Sequence, residues 1–354
     1  MTEVPPPRAN PLLFGHEGVE AELRRLYEEG RLPHAILICG PRGIGKATLA
    51  FRLARFVLAG EGSGEGLATP PESGVFHRVA AGGHADLLTV ERGFDLRRRR
   101  LRNEIVAEEA REIAGFLRLT AAEEGWRVVV VDGAEEMTRS AANALLKILE
   151  EPPQRALLLL VSHSPGRLLP TIRSRCRRLA LAALSPALVR KLLDRWRPDL
   201  AADQRAALAA LAEGSIGQAI ELAEAGGVAL YRSLLDLLRE VPRLDAGMLR
   251  AFADRLLRPG AEDSFRIVEE LLSRLLARLA LAAAGCESAP AETAEAIVEG
   301  EGNTIARLAR RAGAAHWAGL RQEIEASFAR AAELNLDRRQ ALFGAFFAVA
   351  DAAG

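Results

Sequence analysis

The sequence predicts an α/β domain built on a parallel sheet with a phosphate-binding loop, followed by a small three-helix unit and a larger all-helical domain. Three observations carry this. Leu37-Ile38-Cys39-Gly40-Pro41-Arg42-Gly43-Ile44-Gly45-Lys46-Ala47-Thr48 runs from an apolar strand through a glycine-rich loop into a helix. Trp126 to Asp132 is a near-continuous β-branched run ending in a carboxylate. After Leu184 strand-like runs cease, and Ala, Leu, Arg and Glu recur at helical spacing. The expected boundaries are 1–184, 185–228 and 229–354, in keeping with a 354-residue chain that suits two or three domains.

The first stretch fits strand, then G-x-x-x-x-G-K, then helix. Glycines let backbone N–H groups approach phosphate oxygens, and Lys46 is placed to reach the outer phosphates. The next position calls for a Ser or Thr hydroxyl to bind Mg²⁺, and it holds Ala47, with Thr48 one step late. A strand such as Trp126–Asp132 is buried on both faces in a parallel sheet. An aspartate at its carboxyl end is where a phosphate-loop protein holds Mg²⁺ directly or through water. Gly40, Gly43, Gly45, Lys46, Thr48 and Asp132 therefore form a degenerate candidate nucleotide site. An empty, purely structural loop is the competing reading.

In chain order, residues 12–30 show helical spacing and stop at Gly30. Ala35–Cys39 is a strand, and Lys46–Leu58 is a helix with Leu49, Ala50, Leu53, Ala54 and Val57 on one stripe. Gly60 to Gly83 is rich in Gly, Ser, Pro and Ala without periodicity and is expected to be an exposed loop. A strand follows at Leu87–Val90. Arg97 to Arg100 with Arg102 is the densest positive charge, suited to a phosphate backbone, an acidic partner or a solvated loop. Ile105–Leu119 and Ser140–Glu150 are helices, the second burying Ala141, Ala144, Leu145, Ile148 and Leu149 and stopped by Pro152-Pro153. Ala156–Val161 is a strand ending in Ser162-His163-Ser164. Pro170–Cys176 is a helical turn carrying Arg173 and Arg175, and Leu179–Leu184 closes the unit. Ser185–Leu200, Ala202–Glu213 and Ile216–Ala225 form the three-helix unit, and roughly five longer helices follow from Leu230. His316 and Trp317 read as core or interface residues.

Lys plus Arg and Asp plus Glu number 47 each, so net charge argues for neither nucleic acid nor membrane, and any DNA contact must be local. Met1 to Asn10 is proline-rich and polar, which argues against secretion, and no apolar run is long enough to span a bilayer. Cys39, Cys176 and Cys286 are widely spaced, which suits a reducing cytoplasm, and two of them read as small buried apolar residues. No C-x-x-C or His/Cys cluster is present, so no zinc is expected.

With Asn143-Ala144-Leu145-Leu146-Lys147-Ile148-Leu149-Glu150-Glu151-Pro152-Pro153 and Leu169-Pro170-Thr171-Ile172-Arg173-Ser174-Arg175-Cys176 added, the chain resembles the AAA+ clamp-loader family of DNA replication. The resemblance is strong over the first 184 residues, and the order of AAA+ core, helical lid and helical collar extends it over the whole chain. It implies that Arg175, in the Ser-Arg-Cys motif, acts in trans as an arginine finger on a neighbour's nucleotide. It also implies a place in a hetero-pentameric ring joined through the collar, with gamma/tau-type ATPase subunits and a delta subunit as neighbours. That ring would load a sliding clamp onto primer-template DNA as part of a DNA polymerase III holoenzyme.

Three departures from the family pattern shape the expectation. Ala47 replaces the metal-binding hydroxyl. Gly133 stands where an active ATPase has its water-activating glutamate, and Glu135 and Glu136 are expected to be poorly placed to substitute. Gly217 stands at the usual arginine position of the sensor-2 helix. The resemblance thus implies a stator without intrinsic ATPase activity, able at most to hold ATP and Mg²⁺ without hydrolysis. The alternative is an active gamma/tau-type motor in which Thr48 or a shifted water replaces the lost ligand. Ser162 and Ser164 are both candidates for the γ-phosphate sensor, and the four-cysteine zinc module of many relatives is replaced by Gly60 to Gly83.

Overall fold

The computed structural model describes residues 4–60, 66–95, 100–102, 104–119, 122, 125–258, 260, 262–285 and 296–354. Two compact units divide the chain, Met1–Leu188 and Val189–Gly354. The first contains α1 (Glu17–Glu28), β1 (Ala35–Cys39), α2 (Lys46–Ala59), α3 (Gly74–Ala80), β2 (Leu87–Val90) and a small hairpin of β3 (Phe94–Asp95) and β4 (Arg100–Leu101). It continues with α4 (Ala107–Arg118), β5 (Arg127–Asp132), α5 (Arg139–Glu150), β6 (Ala156–Ser162), the single turn α6 (Pro170–Arg173) and β7 (Arg177–Ala180).

The main sheet is parallel, in the order β2-β5-β6-β1-β7. Its three central strands are buried throughout or nearly so, because each must cover helices on both faces. Alternation assigns the faces. Ile36, Ile38, Val128, Val130, Leu157, Leu159 and Val161 pack with Leu23 of α1 and with Leu49, Leu53, Phe56 and Val57 of α2. Leu37, Cys39, Val129, Val131, Leu158 and Leu160 pack with Ile113 and Leu117 of α4 and with Leu145, Ile148 and Leu149 of α5.

Several expectations need correction. The first helix begins at Glu17 because Gly15, at φ +79°, turns the chain and breaks any helix from residue 12. Residues 74–80 of the expected loop form α3, capped by the Ser73 hydroxyl accepting from Phe76 N at 3.2 Å, with Phe76 and Val79 buried. The helix stripe of α5 uses Ala142 in place of Ala144, which is only half-buried. The closing segment becomes sheet two residues earlier than expected, as β7, whose exposed Arg177 and Arg178 guard an edge strand against pairing. Arg97, Arg98 and Arg99 lie outside the described residues, as does Cys286.

The second unit takes in most of α7 (Pro186–Trp196), α8 (Ala202–Leu211), α9 (Ile216–Glu224), α10 (Gly227–Glu240), α11 (Ala246–Leu256), α12 (Glu262–Ala283), α13 (Glu301–Ala309), α14 (Ala314–Glu333) and α15 (Arg338–Ala352). Six described helices thus follow residue 226, where roughly five were expected. Val268, Leu271, Leu272, Leu275, Leu276 and Leu279 of α12 are buried with Trp317 of α14 and Phe346 of α15. Within this core the fully buried Glu301 accepts from the Tyr231 hydroxyl at 2.7 Å, pairs with Arg278 Nε at 2.8 Å and accepts from the Ile297 and Val298 N–H groups. One carboxylate thereby ties α10, α12 and the start of α13. Burial and the Glu301 charge push the Tyr231 hydroxyl far above its ordinary pKa. Glu301→Ala removes this shared acceptor and is expected to cost about 3 kcal/mol or more, read as a lower urea midpoint for the second unit.

Candidate nucleotide site and the Arg175 edge

Between β1 and α2 the loop adopts the backbone its glycines allow. Gly40, Gly43 and Gly45 have φ of +149°, +74° and +102°. A Cβ on Gly40 would lie 2.5 Å from the Leu181 carbonyl oxygen, and one on Gly45 would lie 2.7 Å from Leu13 Cδ1. Neighbouring backbone and the N-terminal segment therefore demand these glycines irrespective of any phosphate. His16 Nε2 donates to the Ile44 carbonyl at 2.9 Å, which fastens the middle of the loop. Arg55 donates to the Arg8 and Asn10 carbonyls at 2.7 Å each, while Arg52 donates to the Pro11 carbonyl and pairs with Glu20. Sequence reading treated α2 only as an apolar stripe and missed these two buried arginines, which strap the N-terminal segment onto it.

Lys46 is 3% exposed and its ammonium donates to the Pro41 carbonyl within the loop. Burial pulls its pKa down to about 8, against the upward pull of Asp132 and Glu135. Asp132 ends β5, and its carboxyl is pushed up by burial and by the nearby Glu91 charge, with Lys46 opposing. Ala47 offers no hydroxyl. Thr48 is buried within α2.

Gly133 follows at φ +78°, and a Cβ there would meet Glu136 Oε2 at 2.6 Å. Glu136 is itself paired with Arg92 at 3.0 Å. The position that would carry a catalytic glutamate is thus shaped for glycine. Glu135 Oε1 accepts from the His163 and Ser164 N–H groups at 2.8 and 3.2 Å. Burial raises its pKa, but these and other hydrogen bonds outweigh that and hold the carboxyl below its usual range. It serves as a clasp between the β5 and β6 exits.

Ser162 is fully buried at the end of β6, opposite Cys39, while Ser164 is exposed. The residue that sequence reading missed is His163. Partial desolvation and the charges of Lys46 and Arg42 lower its pKa, and Glu135 opposes them. Alternation along β6 was the available signal, since residue 163 shares its side with Val161, which packs toward α2.

Lys46, Asp132, Glu135 and His163 thus gather at the carboxyl ends of β1, β5 and β6, as ligand sites do in open parallel sheets. The loop carries the glycines and the lysine of the expected phosphate pattern, with Ala47 where that pattern has a hydroxyl. Gly217 lies in the first turn of α9 in the second unit, where Ser215 caps the helix by accepting from Gln218 N. Among the described residues, no group of three or more His, Cys, Asp or Glu is arranged to hold a metal ion.

Arg175 lies elsewhere. The register pairs Ile36 with Arg177 and Cys39 with Ala180, so β7 starts beside Ile36 and Arg175 lies in the turn two residues before it. Four residues at about 3.3 Å each separate Ile36 from Gly40, so the start of β7 already stands roughly 13 Å from the loop along the strand direction. Its backbone is anchored by Cys176 and Ile172 in the core beside α5. Its guanidinium pairs with Glu150 Oε1 at 2.8 Å through Nη2 and donates to the Thr171 carbonyl at 3.1 Å through Nη1.

Two outcomes follow from this geometry. The unfolded chain binds more protons at Lys46 than the native one between pH 8 and 10.5, so Lys46 makes stability rise with pH in that window. Urea unfolding across pH 7 to 10.5 should show that rise shrink in Lys46→Met. Gly133→Glu should lower stability by about 1–3 kcal/mol through its positive φ, and no ATPase activity of the isolated variant is expected.

Residues 15–185 match the family described as DNA polymerase III, delta subunit. DNA polymerase III subunit delta' of Pseudomonas aeruginosa is 40% identical over 182 residues, covering 51% of this chain and 53% of that protein. Subunit delta' of Escherichia coli (strain K12) is 35% identical over 200 residues, covering 55% and 56%. DNA polymerase III subunit gamma/tau of Mycobacterium tuberculosis is 32% identical over 183 residues, covering 52% and 30%. The chain spans about half the length of the delta' relatives it matches. Over residues 15–185, the stretch that holds the phosphate loop, Asp132 and Arg175, the chain is similar to the DNA polymerase III delta-subunit family and to the delta' subunits of Pseudomonas aeruginosa and Escherichia coli.

Proposed function

We propose that this chain is a delta-prime-like subunit of a DNA polymerase III clamp loader, a non-hydrolysing stator that lends Arg175 to the nucleotide site of a neighbouring ATPase subunit. One observation carries the proposal. The β1–β7 register holds Arg175 at the opposite edge of the sheet from the chain's own phosphate loop, far beyond the reach of one arginine side chain. An arginine so placed serves an anion on another molecule. A trans arginine finger stabilises charge on the transferring phosphoryl group and is worth on the order of 10³–10⁵ in rate.

The chain's own site supports the other half of the proposal. With no hydroxyl at Ala47, a glycine-shaped backbone at Gly133 and no side chain at Gly217, the metal ligand, the base and the charge stabiliser are all lost. Each is commonly worth about a hundredfold or more. The loop and Lys46 retain the means to hold a triphosphate without hydrolysing it. ATP and Mg²⁺ are optional on this proposal, and zinc is not needed. The partners are gamma/tau-type subunits and a delta subunit in a hetero-pentameric ring, with residues 229–354 as collar and with sliding clamp and primed DNA engaged through the complex. No helix among the described residues is long and apolar enough to cross a membrane, and the proposed place of work is the cytoplasm.

The test is steady-state ATP hydrolysis by the chain alone and then with gamma-type and delta subunits, clamp and primed DNA. The chain alone should be inactive. In the complex, Arg175→Ala should abolish turnover at the one site it serves, whereas Lys46→Ala should change turnover little. Robust hydrolysis by the isolated chain, or the reverse pattern of variants, would overturn the stator function.

A further inference from the structure

We propose that Glu150 is a positioning residue that holds the Arg175 guanidinium in the orientation in which it meets a neighbour's phosphate. This rests on the trans-arginine proposal above and adds to it the group that aims the arginine. Both backbones are rigidly set. Glu150 is the last residue of α5, whose Ile148 and Leu149 are buried, and Pro152-Pro153 closes the segment after it. Arg175 stands between Cys176 and Ile172, which are buried in the same apolar core. Two fixed points on one core therefore face each other across a 2.8 Å ion pair.

The pair contributes little to stability, because both side chains are well exposed, at 36% and 51%, and exposed pairs are worth at most about 1 kcal/mol. What it does is geometric. A free arginine side chain samples many rotamers, and ordering it on binding opposes any contact it makes. Here that ordering is done beforehand. Glu150 engages one N–H of Nη2 and Thr171 one N–H of Nη1, out of the five that a guanidinium carries. Three donors remain for an incoming phosphate. The neighbouring Ser174 hydroxyl also donates to the Thr171 carbonyl, at 3.1 Å, which stiffens the turn from which the arginine projects.

The experiment uses the assembled complex and compares wild type with Glu150→Ala, Glu150→Gln, Arg175→Ala and the Glu150→Ala/Arg175→Ala double variant. ATP turnover, KM for ATP, ring assembly by size-exclusion chromatography and the thermal unfolding of the subunit are measured. Glu150→Ala should lower the Arg175-dependent part of the turnover about two- to tenfold, with KM, assembly and unfolding temperature unchanged. Glu150→Gln keeps an acceptor and should recover part of the loss. The double variant should match Arg175→Ala alone. If Arg175→Ala abolishes the dependent turnover while Glu150→Ala runs at or above the wild-type rate, the positioning role is wrong and the trans-arginine proposal stands. If Arg175→Ala changes nothing, both fall.

Discussion

Strand β1 hydrogen-bonds to β6 on one side and β7 on the other, both parallel to it, and that pairing places nearly every functional group of the first unit. At its carboxyl end the chain turns into the phosphate loop, with Asp132, Glu135 and His163 brought alongside by β5 and β6. At its amino end, β7 enters from the turn that carries Arg175, and α5 delivers Glu150 to the same edge. One sheet thus carries the glycine loop with Lys46 at one end and the Arg175–Glu150 pair at the other. The pairing is enforced by burial, since a one-residue slip would exchange Val128 and Val130 with Val129 and Val131 between two different helical layers.

Packing by itself accounts for the shape of the glycine loop. The glycines at 40 and 45 are required by the Leu181 carbonyl and by Leu13, and Lys46 finds an acceptor inside its own loop. None of these contacts needs a nucleotide.

The N-terminal segment is part of that hold. Arg52 and Arg55 are almost fully buried, a costly state for cations unless their donors are satisfied. Carbonyls at 8, 10 and 11 and the Glu20 carboxylate satisfy them. Burial and the neighbouring Arg52 charge bring the Arg55 pKa down to about 10, leaving it cationic at neutral pH. The segment that covers the phosphate loop is therefore fastened by charge-assisted hydrogen bonds, as well as by apolar contacts such as that of Leu13.

The parallel sheet, the phosphate loop, Asp132 and the change to an all-helical second half were legible in the sequence because each is a local pattern. An apolar run before glycines, a β-branched strand ending in a carboxylate, and helical spacing all follow from neighbours along the chain. Helix α3 was legible in principle, through Ser73 and the Phe76–Val79 spacing, but a stretch rich in Gly and Pro hid it. The strap by Arg52 and Arg55, the Glu135 clasp, the side chain of His163 beside Lys46 and the Arg175–Glu150 pair were beyond local pattern. Each joins residues from different elements, 25 to 47 positions apart and 117 for His163 and Lys46, so only sheet register and packing decide that they meet. By itself the sequence determined which chemical groups the chain carries and which it has lost. Tertiary structure decided the edge on which each one stands, because strand order and register set separations that no spacing along the chain encodes.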